Sequence, residues 1–290
     1  MSGLRKEQGV KAAEEVAKTL IKYHRLIYSV SEDQRLDPLG TGVLLRVDNS
    51  FFLVTAAHVL DENTHETTQY RDLATYGKRE AVILNGGSFR TSVPRGKTRR
   101  EDRIDVGFIL LESEAVAQIG EDRFWPIAQI DLNDTGTRSA LYGAFGYPAS
   151  LNCTIDPNYQ DVVNPRPFTY TALLRPTKAY KSLGVGIETH LLLAVSQNKT
   201  RRSDGIKAKL PDLHGMSGGG LWRYLGDELG TSVSAPCLLG ILIEWHKCQE
   251  GGLLAARMSF VVESIRLAYP DLSDKLPRSK LININSEIEV

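Results

Sequence analysis

The chain has 290 residues, and its 35 lysines and arginines are balanced by 35 aspartates and glutamates. A chain of this length can bury a large core, as one all-β domain or as two smaller ones. A formal net charge of zero provides no general attraction to nucleic acid or to an anionic membrane, so neither is expected as a partner.

The first 20 residues contain no continuous apolar run, so the sequence predicts neither a secretory signal nor a membrane span and favours a cytoplasmic location. The three cysteines, Cys153, Cys237 and Cys248, are odd in number and lack the spacing of paired metal ligands. We expect reduced, buried thiols, no disulfide framework, no metal and no organic cofactor.

Apolar residues recur at three- and four-residue steps between residues 5 and 28, which predicts an N-terminal amphipathic helix. Two interpretations of this helix are open. It packs on the surface of the domain, or it is the element through which a regulatory protein partner docks.

From Gly40 onward, β-branched and aromatic residues form short runs, beginning with a hairpin that turns at Asp48-Asn49. Further strands are predicted at 81–85, 105–111, 139–147, 190–196, 218–224 and 237–245, and a closing helix at 259–269. Prolines interrupt any regular pattern at 149–182, which indicates a boundary or a long loop. Many short strands without alternating helices are typical of an all-β sandwich or barrel.

A glycine-flanked serine is the sharpest chemical signal, in the segment Gly215-Met216-Ser217-Gly218-Gly219-Gly220. Glycines on both sides let the backbone turn tightly, expose the hydroxyl and direct amide hydrogens into one small space. Nucleophilic acyl transfer by serine needs such donors, together with a base and a carboxylate that orients the base. Taken alone, the segment fits a structural turn equally well.

The base and carboxylate candidates each lie at the end of a predicted buried strand. His58 lies in the segment TAAHV at the end of an apolar strand, and Asp105 is the first residue of the predicted strand DVGFILL. A carboxylate entering a buried strand needs a hydrogen-bonded partner, because burying it unpaired costs several kcal/mol. The simpler alternatives are a structural histidine and an exposed aspartate at a strand start.

In the order TAAHV, DVG and GMSGGG, the three segments resemble the histidine, aspartate and serine motifs of the trypsin and chymotrypsin family. Asp105 follows His58 by 47 residues, and Ser217 follows Asp105 by 112. The segments 146–148, 240–245 and 256–258 resemble further parts of the family. The resemblance covers about residues 38–270.

The resemblance implies a chymotrypsin-like all-β fold of two six-stranded antiparallel β-barrels, with an N-terminal and a C-terminal helix. It implies an N-terminal helical segment at 1–32, a first barrel at 33–135, a second barrel with its closing helix at 136–273, and a tail at 274–290. Ser217 would be the nucleophile, His58 the general base and then acid, and Asp105 the residue that orients it. The amide hydrogens of Gly215 and Ser217 would form the oxyanion hole.

The family's primary pocket implies five substrate-binding residues, namely Pro211 at the floor and His214, Ile243, Glu244 and Trp245 along the walls. Because the floor position is not acidic, a preference for lysine or arginine is not supported. Trp245 either narrows the pocket or belongs to the core. Two basic loops, at 95–100 and 199–202, are solvated surface or receive an acidic partner.

One position departs from the family pattern. Secreted members carry an aspartate before the serine, where a newly cleaved N-terminus pairs with it, and this chain has Met216. Activation of that kind is therefore not expected, and we expect control by a partner acting through the N-terminal helix or a mobile loop.

The sequence predicts a serine endopeptidase that hydrolyses protein or peptide substrates through an acyl-enzyme intermediate. The alternative is a catalytically silent trypsin-like fold that serves as a binding or scaffold module. Ester hydrolysis by the same site is also open.

Overall fold

The computed structural model describes residues 14–61, 72–78, 80–93, 95–134, 140–152, 154–155, 164–195, 209–224, 236–248 and 251–280. Cys153, the basic loop at 199–202 and the tail beyond residue 280 lie outside these residues. No helix in the described ranges is both long enough and apolar enough to cross a membrane.

The first half of the chain forms most of its structure from short strands. Its elements are a helix at 14–20 (α1), a 3₁₀ turn at Ile21–Tyr23, β1 (His24–Val30), β2 (Leu36–Val47), β3 (Ser50–Ala56), α2 (Ala57–Asp61), β4 (Leu73–Tyr76), β5 (Ala81–Ile83), β6 (Gly86–Arg90), a 3₁₀ turn at Arg99–Glu101, β7 (Val106–Leu111), α3 (Ser113–Ile119), a 3₁₀ turn at Glu121–Arg123, β8 (Trp125–Pro126) and a 3₁₀ turn at Ile127–Gln129.

Those eight strands make one sheet, in the order β5-β4-β1-β2-β3-β7-β6, with the two-residue β8 pairing in parallel with β2. The predicted hairpin at Asp48-Asn49 is confirmed, since Val47 pairs with Ser50 and Asp48 adopts a left-handed φ of 53°. The sheet has eight strands among the described residues, two more than the six implied by the resemblance.

The second half adds six strands and two α-helices. Its elements are β9 (Leu141–Gly146), a 3₁₀ turn at Ala149–Leu151, β10 (Phe168–Ala172), α4 (Thr177–Ser182), β11 (His190–Ala194), β12 (Gly220–Tyr224), β13 (Cys237–Trp245), β14 (Gly252–Arg257), α5 (Met258–Ala268) and a 3₁₀ turn at Pro270–Lys275. The strands form an antiparallel sheet in the order β10-β9-β12-β13-β14-β11. The all-β prediction of two curled antiparallel sheets with a closing helix is confirmed.

The prediction of a helix through residue 28 is wrong at its C-terminal end. Residues 24–30 form β1, which pairs with β2 and β4, and all seven of its residues are buried. A short run that is buried on both sides, here with polar residues such as His24 and Arg25 among the buried ones, has no exposed face, so its pattern does not separate a strand from a helix. β1 thus belongs to the first sheet, although the predicted division placed it in the N-terminal segment at 1–32.

Large aromatic side chains fill the space where the two sheets meet. Trp222 of β12 is fully buried, packs edge-on against Trp125 at a ring-centroid distance of 4.8 Å, and its indole Nε1–H donates to His24 of β1 at 3.3 Å. Burial lowers the pKa of His24 to about 3, so the ring is neutral and can accept this hydrogen bond. The core therefore runs continuously from one sheet into the other and fixes their relative position.

The two cysteines among the described residues are both free thiols, as predicted. Cys237 is half-buried, and burial raises its pKa to about 11, which makes it a poor nucleophile at neutral pH. Cys248 is exposed, so the prediction of burial is wrong for this residue.

Candidate active site

His58 stands beside Asp105 because of the pairing between β3 and β7. Ala56, the last residue of β3, pairs with Val106, the first residue of β7. The chain continues from β3 into α2, and the Ala57 amide donates to the Asp105 carbonyl at 2.9 Å. Residues 47 positions apart are therefore brought into contact by the end of one ladder.

The Asp105 carboxylate holds His58 at two points. His58 Nδ1 lies 2.5 Å from Asp105 Oδ2, and the His58 backbone amide donates to Oδ1 at 2.9 Å. A carboxylate only accepts, so Nδ1 carries the hydrogen and the neutral ring presents Nε2 as an acceptor. Asp105 has a φ of 45°, a left-handed conformation that costs about 1 kcal/mol or more for a non-glycine residue.

The electrostatics of this pair make His58 a stronger base than an isolated imidazole. Burial lowers the pKa of His58, but the hydrogen bond and charge of Asp105 outweigh it and raise the pKa above 6.5, with Asp61 adding in the same direction. Burial raises the pKa of the Asp105 carboxyl, and its bonds with His58 oppose that shift. The pair accordingly holds a proton-accepting ring in a fixed orientation.

Arg99, from the predicted basic loop, forms ion pairs with residues close to His58 and Asp105 in the chain. Arg99 contacts Asp61, at the end of α2, through a 2.6 Å ion pair and contacts Asp102 through one of 2.7 Å. It thereby ties the helix that carries His58 to the turn that leads into Asp105. Arg99 is only 20% exposed, so the prediction of solvated surface is wrong for this residue.

A sequence signal for that ordered turn was available. Thr98 and Glu101 form a reciprocal capping box around the 3₁₀ turn that contains Arg99. The pattern of threonine followed three residues later by glutamate predicts a structured turn, even though the surrounding charges suggest solvent.

The segment around Ser217 is held by hydrogen bonds to its carbonyl groups. The His214 carbonyl accepts from the Ala149 amide at 2.7 Å, and the Met216 carbonyl accepts from the Gly219 amide at 2.9 Å. Because the C=O and N–H of a trans peptide point in opposite directions, the amide hydrogens of Gly215 and Ser217 point away from these anchors. Neither amide has an acceptor among the described residues.

Two glycines allow this backbone path. Gly215 has a φ of 90° and Gly218 a φ of 84°, both in the region that side chains disfavour. At Gly218 a β-carbon would collide with the Thr41 carbonyl and with the Thr55 hydroxyl. The glycine pattern that marked Ser217 in the sequence therefore has a structural cause in both conformation and space.

Ser217, His58 and Asp105 all line one cleft of about 980 Å³. The Ser217 hydroxyl lies 3.5 Å from the Ile243 carbonyl, at the outer limit of a hydrogen bond, and no hydrogen bond joins it to His58. The structure thus brings the histidine and the carboxylate into contact and places the serine on the same cleft without a bond to the ring.

Four of the five predicted substrate-binding residues line this cleft, namely His214, Ile243, Glu244 and Trp245. The fifth, Pro211, is not among the residues that line it. Its position was taken from an offset along the chain, whereas the apolar wall comes from β13, β14 and the turn before the serine. The residues that form this wall, and that the sequence did not reveal, are Leu213, Met216, Leu242, Leu253 and Leu254.

Within the described ranges, no group of three histidine, cysteine, aspartate or glutamate side chains is arranged to hold a metal ion.

No family model matches the chain, and no curated protein matches it. Many solved structures are similar to it, among them the following two. One is a thermostable serine protease, AL20, from an extremophilic microorganism, with 13% identity, a TM-score of 0.49, and coverage of 88% of this chain and 99% of that one. The other is the MamO protease domain from Magnetospirillum magneticum in its apo form, with 11% identity, a TM-score of 0.44, and coverage of 84% and 96%. The chemistry of the site has to be taken from its own residues.

A substitution at Gly218 tests whether the serine segment depends on close backbone approach. Gly218→Ala is expected to lower the free energy of unfolding by several kcal/mol more than Gly96→Ala, measured by urea denaturation. Both glycines have left-handed φ values, 84° and 77°, which cost an alanine about 1–2 kcal/mol each, but no atom lies within 4 Å of a β-carbon at Gly96. Equal losses for the two variants would contradict the description of this segment.

Proposed function

We propose that this chain is a serine endopeptidase that uses Ser217, His58 and Asp105 on peptide or protein substrates. One observation carries the proposal. A buried carboxylate orients an imidazole on the same cleft as a serine whose own amide, like that of Gly215, lacks an acceptor in the described structure. The cytoplasmic location and the absence of a cofactor stay predictions.

In the proposed reaction, Ser217 Oγ attacks the carbonyl carbon of the scissile peptide while His58 Nε2 takes the hydroxyl proton. The negative charge that develops on the carbonyl oxygen is met by the Gly215 and Ser217 amide hydrogens. The imidazolium, stabilised by Asp105, then gives its proton to the leaving amine, and the C–N bond breaks. Water attacks the resulting ester by the same route and releases the acid.

The serine must move relative to the histidine before this chemistry begins. Its hydroxyl is directed at Ile243 and is not bonded to His58. Bonds of this kind are often long in substrate-free enzymes and shorten when substrate binds. We propose that rotation of the Ser217 side chain, accompanying substrate binding, brings Oγ to Nε2.

The contact between the Ser217 hydroxyl and the Ile243 carbonyl also favours a second candidate function. In this candidate the fold is a binding or scaffold module, and the Ser217 hydroxyl keeps its contact with Ile243. The two candidates differ in one measurable property, the reactivity of the Ser217 hydroxyl towards an electrophile that does not depend on a particular peptide sequence.

A fluorophosphonate probe provides that measurement. We expect covalent labelling of Ser217, located by mass spectrometry, with no labelling of Ser217→Ala. His58→Ala should reduce the rate constant by on the order of 10³-fold or more, because the hydroxyl loses its base. Ser182→Ala, which removes a hydroxyl bonded within α4, should label as the wild type does. A wild-type protein that remains unlabelled at every pH tested would favour the scaffold candidate.

The labelling rate should also depend on pH in a defined direction. His58 must be neutral to accept a proton, and its pKa is raised above 6.5, so the rate should rise with pH through a midpoint above 6.5. Asp61→Asn removes one of the charges that raise this pKa and should move the midpoint downward. A wild-type midpoint below 6.5 would show that Asp105 does not govern the ring.

We further propose that a protein partner gates activity through the N-terminal segment. Met216 is 1% exposed and packs near Gly146, so the position before the serine is apolar and uncharged. The gating segment must lie before the core begins, since Val16 and Leu20 are buried and β1 is part of the first sheet.

Removing residues 1–13 tests this idea while keeping every strand that the structure describes. The truncated chain is expected to label with fluorophosphonate at a rate different from the full chain, while its urea unfolding midpoint stays unchanged. Identical rates for the two proteins would rule out gating by this segment.

A further inference from the structure

Thr41 of β2 is a fully buried residue of the first sheet that contacts the Ser217 segment. Its backbone amide donates to the Ser217 carbonyl at 2.8 Å, and its hydroxyl donates to the Gly215 carbonyl at 2.8 Å. The hydroxyl in turn accepts from the Tyr147 amide at 2.9 Å. One residue thus joins β2, the start of the second sheet and the serine segment.

With these bonds, four consecutive carbonyl groups of the serine segment are held. Residues 214 and 216 are anchored by amides of the second half of the chain, and residues 215 and 217 are anchored by Thr41. Fixing a carbonyl fixes the plane of its peptide, and with it the direction of the next amide hydrogen. The Gly215 and Ser217 amides lie in the planes whose carbonyls accept from Ala149 and Gly219. Through the Gly215 carbonyl, Thr41 holds the plane that lies between those two, and through the Ser217 carbonyl it holds the plane that follows them.

We propose that Thr41 is a positioning residue of the first sheet that holds the peptide plane between the two oxyanion amides, and so fixes how these amides are oriented relative to each other, a role that rests on the proposed peptidase function. It acts through the Gly215 and Ser217 carbonyls and does not touch the substrate. The Thr41 hydroxyl links the serine segment to β2 by a hydrogen bond that the Met216 side chain, next to Ser217, cannot make.

The surroundings of Thr41 fit this role. Thr55 Oγ1 donates to the Thr41 carbonyl at 2.7 Å, which fixes the residue within the sheet. A β-carbon at Gly146 would lie 3.1 Å from Thr41 Oγ1 and 3.0 Å from Met216 Sδ, so the glycine leaves the space in which the hydroxyl reaches across. A hydroxyl that both donates and accepts is required, because its partners are a carbonyl and an amide.

The test compares three variants by their fluorophosphonate labelling rate per mole of folded protein, measured across pH. Thr41→Val keeps the shape but removes the hydroxyl, Thr41→Ser keeps the hydroxyl, and Thr75→Val removes an equally buried hydroxyl that donates to the Leu26 carbonyl in the first sheet. The phosphoryl oxygen of the probe needs the same amide donors as a peptide oxyanion.

We expect Thr41→Val to lower the plateau rate by about tenfold or more, approaching the 10²-fold effect of losing one oxyanion donor. The pH midpoint should stay at the wild-type value, because His58 and Asp105 are untouched. Thr41→Ser and Thr75→Val should both stay within about threefold of the wild type, well below the effect of a lost donor. If Thr41→Val does not fold, Thr41→Cys, whose thiol is a weak donor, should show a reduced plateau at the same midpoint.

A plateau for Thr41→Val or Thr41→Cys equal to that of the wild type would overturn the positioning role alone. Equal losses in Thr41→Val and Thr75→Val would also overturn it, since they would reflect loss of a buried hydroxyl in general. A wild-type protein that does not label at all would overturn the proposed function, and this inference with it.

Discussion

A carboxylate at the entrance of a buried strand is stable only when its oxygens are satisfied, and this requirement organises the candidate site. Asp105 meets it through the His58 side chain and the His58 amide, both delivered by the pairing of β3 with β7. The same contact that stabilises the burial of charge also fixes the tautomer of the ring. Stability of the strand and chemistry of the cleft therefore depend on one interaction.

The second half of the site has a different origin, because it consists mainly of backbone groups. The segment 214–217 is shaped by the bonds made to its carbonyls, and the amides left over are those that a developing negative charge would need. The imidazole and the carboxylate come from the first sheet, whereas the serine hydroxyl and the backbone amides beside it come from the second half of the chain. Thr41 links these two parts of the site, because it belongs to the first sheet and hydrogen-bonds to the serine segment.

Much of this was predictable from the sequence, and the failures have physical causes. The hairpin strands β2 and β3, the strands β5, β7, β9, β11, β12 and β13, and the closing helix follow from local signals, namely alternation and turn residues. The strands β4, β6, β8, β10 and β14 were not predicted, and β10 lies in the proline-containing stretch that was interpreted as a boundary or long loop. β1 was assigned to a helix because a wholly buried run of seven residues shows no exposed face. Arg99 was assigned to solvated surface because its pairing with Asp61 across 38 residues is a three-dimensional contact that the local charge pattern does not show. Thr41, an ordinary strand residue in the sequence, carried no signal of its role.

Since His58 and Asp105 belong to one sheet while the serine segment gains part of its shape from Thr41 in that sheet, neither half of the chain contains a finished site. A chain in which only the second sheet has formed would have the serine hydroxyl but no histidine to accept its proton. A chain in which only the first sheet has formed would have the histidine but no serine for it to deprotonate. Under the proposed function, a molecule in which the two halves have not yet docked would therefore be unable to cleave its neighbours.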